Sequence, residues 1–264
     1  MPELSPVVVT RVDSPVPIAL RERYLDSLPE PQELFLEDMV QHGEVWSIDA
    51  PEGYAVTCEG MLVEFHVAPS GEDVRLAAFD AVVAASGVSG IVLKSFDRVL
   101  LALAGCRAGP LSQVGLLFRR CEPVAPSDLP PLRPRPAAGD DLTAVLGLDP
   151  EFFDDPDGVA FYAGSDEAEL ILFRGEDGVL AGCGISSTVV AGRPGTDIGM
   201  VFAPDRRGRG VGTAIVAAMR DRVATRGGRA ICGCNIDNIA SRRCLERAGF
   251  RTDHVLLEGL LRPG

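Results

Sequence analysis

The chain has 264 residues, 46 % of them hydrophobic, and a formal net charge of −13. That length supports a packed core and one or two domains, and the acidic balance excludes nucleic acid as a general partner while suiting a cationic small-molecule or peptide substrate. No apolar h-region follows Met1 and the most apolar run, 81–93, is too short to span a bilayer, so no membrane partner is expected and the chain is read as cytoplasmic.

In the first half, Met61-Leu-Val-Glu-Phe-His-Val-Ala-Pro69 reads as a strand, 74–86 as a helix of small apolar residues and 90–94 as a short strand. Leu101-Ala-Leu-Ala-Gly-Cys-Arg107 follows, then an apolar run ending in arginine. Residues 121–138 carry Pro123, Pro126, Pro130, Pro131, Pro134 and Pro136. That density blocks helix and sheet and predicts a stiff extended linker. In the second half, 168–174 is a strand, 175–178 a hairpin turn, 179–190 a long strand and 191–195 another turn.

The next segment carries the chemistry. Residues 198–213 read Ile-Gly-Met-Val-Phe-Ala-Pro-Asp-Arg-Arg-Gly-Arg-Gly-Val-Gly-Thr: a strand, a loop rich in glycine and arginine, then the first turn of a helix. Backbone amides and the helix dipole favour an anion at such a junction. Arg206, Arg207 and Arg209 stand in an otherwise acidic chain, so the segment reads as a cradle for a phosphorylated ligand. The helix places Val211, Ile215, Met219 and Val223 four apart on one face. A strand at 229–235 follows, and Asp237 or Asn238 caps a last helix that Gly249 ends.

The two halves repeat one another in order. Val-Ala-Pro69 corresponds to Phe-Ala-Pro204, each followed by a helix and a short apolar strand, and Leu101–Arg107 corresponds to Leu245-Glu-Arg-Ala-Gly-Phe-Arg251. The repeat fails at the loop, where the first half has Ser70-Gly-Glu-Asp-Val-Arg75. Glu72 and Asp73 would repel a phosphate, so the ligand is expected in the second half.

The glycine loop admits few nucleotide motifs. A P-loop needs a lysine that is absent here, and a Rossmann fingerprint counted from Gly208 or Gly210 finds Thr213 or Ile215 where its third glycine belongs. The Rossmann reading and a solvated turn without ligand stay open beside an Arg-x-x-Gly-x-Gly pattern on Arg207, Gly210 and Gly212. The seven cysteines are an odd number, scattered through apolar segments, which suits reduced thiols. Cys232 and Cys234 share a strand face, but no second Cys/His pair at zinc-like spacing accompanies them, so no metal is expected.

From about Asp140 to Leu261 the chain resembles the GCN5-related N-acetyltransferase family. The resemblance rests on the 204–213 loop and on Asn238-Ile-Ala-Ser-Arg-Arg-Cys-Leu-Glu-Arg-Ala-Gly-Phe250. The first half resembles a degenerate copy, so the chain is similar to tandem members. This implies two α/β (α+β) domains, each with a mixed central sheet flanked by helices: 1–121, a linker at 122–138, and an acyl-CoA-binding domain at 139–264. It also implies an acetyl-CoA-dependent N-acetyltransferase acting on a primary amine of a small molecule or peptide. A non-catalytic acyl-CoA binder is the alternative, and the oligomeric state, a homodimer included, is open.

Acetyl-CoA offers a pyrophosphate to the amides of Arg207, Gly208, Arg209, Gly210, Val211, Gly212 and Thr213, and Asn238 either contacts the CoA arm or acts as a plain N-cap. Val201 and Phe202 would pair main-chain groups with the pantetheine arm and polarise the thioester carbonyl. Asp197 is the preferred general base, with Glu169 and Asp166 behind it, although Asp197 equally reads as a solvated residue after a turn. The family's general-acid tyrosine falls on Leu245, Cys244 beside it reads as core, Tyr162 lies in the region that lines the acceptor site in this family, and His254 is assigned no catalytic role.

Overall fold

The structure, a computed structural model, describes residues 7–49, 51–122, 129–149, 165 and 167–262, with only the backbone at 71–73. Tyr162 and Asp166 lie outside the described residues. The chain forms two compact units, one of residues 1–115 with 254–264 and the other of 116–253.

The first unit contains β1 (Val9–Val12), α1 (Ile18–Ser27), α2 (Leu34–His42), β2 (Glu44–Ile48), β3 (Gly53–Cys58), β4 (Met61–Val67), α3 (Arg75–Ser86), β5 (Gly90–Lys94) and α4 (Arg98–Arg107). Its strands follow the order β1-β2-β3-β4-β5 and are antiparallel except for the parallel pair β4–β5. Phe65 of β4 and Phe79 of α3 meet edge to face in a core closed by Ile91, Leu93 and Leu100.

The second unit takes most of β6 (Ser112–Cys121), then β7 (Arg133–Pro136), α5 (Leu142–Leu146), β8 (Ala168–Arg174), β9 (Leu180–Thr188), β10 (Thr196–Phe202), α6 (Val211–Thr225), β11 (Ala230–Asn235) and α7 (Ile239–Arg247). Its order is β6-β11-β10-β9-β8-β7, with β10–β11 parallel and the pairs from β10 through β7 antiparallel. α6 buries Val211, Ile215, Met219 and Val223, each contributing about 1.5–3 kcal/mol relative to exposure. It seats closely because β9 presents glycines beneath it. A Cβ at Gly182 would stand 2.8 Å from Ile215, and one at Gly184 would stand 2.5 Å from Met219.

Three features depart from the sequence expectation. The division at 1–121, 122–138 and 139–264 is sequential, whereas the compact units exchange their closing strands. The final strand, β12 (Phe250–Leu260), pairs Leu256–Leu260 with β5 of the first unit, and 116–121 of β6 belong to the second. Each of the two similar apolar runs that end the sequence halves thus passes between the units.

The proline stretch also contributes a strand. β7 lies at the sheet edge, where alternate prolines direct their missing donors away from β8, and Ala137 N donates to Leu170 O at 2.8 Å.

Glu169, proposed as a reserve base, instead pins α6 to β8. Arg222 reaches its two oxygens at 2.9 and 3.0 Å, and Arg226 adds a bond of 2.7 Å. The Arg222 guanidinium, aided by Arg226, holds the carboxyl down to about 2.

Two outcomes follow from these contacts. Ending the chain after Asp253 removes the β5 partner, so amide exchange in β4 and β5 should accelerate while β9 and β10 keep their protection, as hydrogen-exchange mass spectrometry would report. Equal protection in β5 with and without the last residues would show that β12 is dispensable to the first unit. Glu169→Gln should cost about 1–2 kcal/mol near neutral pH after allowance for partial exposure. Because the folded carboxyl titrates below its unfolded value, this stabilisation is full above pH about 4.5 and fades towards 2. The melting difference between variant and parent should shrink over that interval, and a constant difference would show that the ion pairs do not supply it.

Candidate functional site

The site begins with an interrupted strand pair. β10 pairs with β9 along its whole length, from Thr196 with Thr188 to Phe202 with Gly182. With β11 it pairs only at Thr196–Ala230 and Asp197–Ile231. Beyond Asp197 the parallel strands part, and the flank of β10 facing the gap has no strand partner. Main-chain groups in that position need another partner, water or an extended ligand. Val201 and Phe202 lie on the opened stretch.

β10 leads through the turn Pro204–Arg206 into the loop and α6. Gly208 and Gly210 adopt φ of 74° and 78°, a left-handed conformation that glycine takes without strain. Among the described residues, the amides of Gly208 through Thr213 have no backbone acceptor, whereas Ala214 N already bonds Gly210 O at 2.9 Å. The loop thus carries a row of amides without backbone acceptors at a helix start, beside exposed Arg207 and Arg209, while the Arg207 amide, assigned to the cradle from the sequence, instead donates to Pro204 O at 3.2 Å.

Two residues of the loop have further structural roles. Arg206 turns to Asp177 in the β8–β9 turn, at 2.7 Å, and braces the loop from outside. Gly212 is required by packing: a Cβ there would lie 2.7 Å from the Phe202 ring and 3.1 Å from Cys244 Sγ. The linker also reaches the cradle, with Pro130 Cδ 3.3 Å from the place a Gly210 Cβ would occupy.

Asn238 is the N-cap of α7, its side-chain oxygen accepting from Ser241 N at 3.0 Å. Leu245 is 2 % exposed and belongs to the core. Cys244 is half-buried, and burial raises its thiol, with Thr213 opposing. Cys183, packed beside Val201, is pushed by burial up to about 12. Neither thiol is a ready nucleophile. His254 packs edge to face on Phe96 in the first unit.

Asp197 sits at the closed end of the gap, in the last pair before the strands part, four residues and about 13 Å of strand before Val201. Between them Gly199 leaves space, since a Cβ there would meet nothing within 4 Å.

The first unit repeats the geometry and fills it. β4 and β5 pair only at Met61–Gly90 and Leu62–Ile91 before parting. By register, Leu62 corresponds to Asp197 and Glu64 to Gly199. Glu64 is fully buried and accepts from Tyr54 OH at 2.5 Å, Gln32 Nε2 at 3.2 Å and Arg21 Nε at 3.3 Å. From β5, Lys94 Nζ donates to Tyr24 OH at 2.7 Å, and Tyr24 OH donates to Asp97 Oδ2 at 2.8 Å. Both parted strands are thereby tied to α1. Burial raises the Glu64 carboxyl, opposed by Arg21 and Lys94, and lowers the Lys94 ammonium. Sequence reasoning missed this network. Its signal was Lys94, the one lysine of an arginine-rich chain, retained where an ammonium fits a buried polar niche.

Comparison with known proteins agrees with this geometry. Residues 140–250 match the Acetyltransferase (GNAT) family model and 18–120 match an Acetyltransferase (GNAT) domain model, so the two matches together take in most of the chain. A search of curated protein sequences finds no match. Among solved structures, an acetyltransferase of the GNAT family from Colwellia psychrerythraea is similar at a TM-score of 0.84 and 15 % identity, over 97 % of this chain and 100 % of that one. A tandem GNAT protein from the clavulanic acid biosynthesis pathway, solved without AcCoA, aligns at 0.61 and 13 % identity over 98 % and 99 %. A GCN5-related N-acetyltransferase from Sphaerobacter thermophilus aligns at 0.54 and 15 % identity over 99 % and 98 %. These likenesses show the fold, and with an acetyltransferase model matched on each half the chain belongs to the GNAT family as a tandem N-acetyltransferase.

Proposed function

We propose that the second unit transfers an acetyl group from acetyl-CoA to a primary amine of a small molecule or peptide by direct attack. The observation that carries this reading is the combination, in that unit, of open amides at 208–213 among the described residues with a parted strand pair that has space at Gly199. When bound, acetyl-CoA supplies a thioester carbonyl open to nucleophilic attack.

The chain's own groups then divide the work. The loop amides and the first turn of α6 hold the pyrophosphate, with Arg207 and Arg209 adding charge. The opened flank of β10 at Val201 and Phe202 offers main-chain groups to an extended arm and to the developing oxyanion. Asn238, besides capping α7, stands at the helix start that faces the arm. Asp197 is too far along β10 for contact with an amine near Val201 and serves as a base through intervening water.

One observation favours a second reading, an acyl-CoA binder without catalysis. Leu245 stands in the core where the family's proton-donating tyrosine belongs, and a leaving thiolate would have to depart without that donor. Thiol release from acetyl-CoA against a panel of amines separates the two. Amine-dependent release supports transfer, whereas tight CoA binding with no release on any amine leaves the binder.

Arg207→Glu with Arg209→Glu should weaken CoA binding by about tenfold or more in calorimetry, with the melting temperature unchanged because both side chains are exposed. Unchanged affinity would place the pyrophosphate elsewhere. Asp197→Asn should flatten the acid limb of the kcat/KM profile, the limb on which the carboxylate of the parent is protonated. An unaltered profile would remove Asp197 from the mechanism.

A further inference from the structure

The base of the cradle loop is fastened to the β8–β9 hairpin at two points. Ala203 N, just past the end of β10, donates to Ala181 O at 3.1 Å, and the Arg206 guanidinium then reaches Asp177 Oδ2 at 2.7 Å. Beyond Arg206 the chain enters Gly208 and Gly210, both at positive φ. Glycine leaves such a segment many paths in the unbound state, so the last fixed point before it governs where the amides of 208–213 are directed.

The hairpin is well ordered where it holds Arg206. Asp177 Oδ1 accepts from Val179 N at 3.0 Å, Gly178 N donates to Gly175 O at 3.0 Å, Gly175 N to Val179 O at 3.0 Å and Arg174 Nη1 to Gly178 O at 3.0 Å. One carboxylate therefore uses one oxygen to fix its own turn and the other to hold the loop. The Arg206 guanidinium keeps the Asp177 carboxyl below the usual carboxylate range, so the pair is charged at neutral pH. Asp205, whose side chain is 77 % exposed, also stands 3.8 Å from Arg206 Nε, but it belongs to the same short turn and ties the loop to no other element.

We propose that Asp177 is a positioning residue for the cradle: by holding Arg206 to the hairpin it presets the amides of 208–213 for a pyrophosphate. This role rests on the reading of the loop as an acyl-CoA site. Charge and preorganisation predict opposite signs for its removal. A carboxylate near a phosphate site repels the ligand, and freeing Arg206 would offer the phosphates another cation, so charge alone predicts tighter binding without Asp177. A loosened loop spends less time in the binding conformation, and the apparent affinity falls with that fraction, so preorganisation predicts weaker binding. The rigid turn behind Asp177 favours preorganisation.

Asp177→Asn keeps an oxygen for Val179 N and turns an amide NH2 towards Arg206, so it cuts the brace and spares the turn. In calorimetry of the full-length protein with CoA, Asp177→Asn and Arg206→Gln should each weaken binding by about three- to fivefold, the range of one exposed ion pair. The double variant should be no weaker than either single one, because both remove the same brace. Hydrogen exchange without ligand should accelerate severalfold in 207–213 of Asp177→Asn while β9 and β10 keep their protection. Unchanged or tighter CoA binding by Asp177→Asn would overturn the proposal, and tighter binding joined to a loss in Arg206→Gln would make Arg206 a phosphate ligand instead. Unaltered exchange in 207–213 would overturn it as well. A parent protein that binds no CoA would overturn the acyl-CoA reading, a failure distinct from that of the brace, which the exchange measurement decides without ligand.

Discussion

The structure depends on a pair of parallel strands that part after two residue pairs. A β-strand normally spends its main-chain donors and acceptors on two neighbours. β10 keeps one neighbour, β9, for its full length and gives up the other, β11, beyond Asp197. The cost of an incomplete ladder is tolerable only where something else can bond the exposed flank. At the far end of that flank the chain turns into α6 and presents a second set of amides without backbone acceptors among the described residues. One ligand that is extended at one end and anionic at the other satisfies both, which describes a pantetheine arm joined to a pyrophosphate.

The two units show what the same parting becomes under different side chains. In the second, the register position beyond the split is Gly199, with space beside it. In the first it is Glu64, buried and held by Tyr54, Gln32 and Arg21, while Lys94 on the facing strand is tied through Tyr24 to Asp97. Such a network is stable only when every member is partnered, and removing one leaves an uncompensated charge in a dry interior. A duplicated fold can thus keep its frame in both copies and dedicate only one to a ligand, with the other copy's opening converted into a polar core.

Much of this was legible in the sequence because local rules and tertiary packing agree there. α6 and β5 fall where apolar spacing places them, Asn238 caps α7, and the 204–213 loop stands at a strand–helix junction. The first sixty residues were silent. α1 mixes charged and apolar residues because its Arg21 and Tyr24 face a buried polar cluster rather than an oily core, so its pattern has no clean apolar stripe. The strand at Arg133–Pro136 was hidden because proline is hostile to a ladder except at an edge, and edge position is a tertiary fact. The exchange of closing strands was equally invisible, since β6 and β12 look alike as sequences and only the assembled units decide where each pairs. Gly212 also answers to packing, which no local rule reports, because Phe202 and Cys244 lie against it.

The central claim is that the parted strands and cradle of the second unit form the chain's acyl-CoA site and that the first unit's opening is closed by its own side chains. The stoichiometry of CoA binding tests it most directly. Calorimetric titration of the full-length protein should saturate at one CoA per chain. Two sites per chain would contradict the closed first unit, and no binding would contradict the cradle.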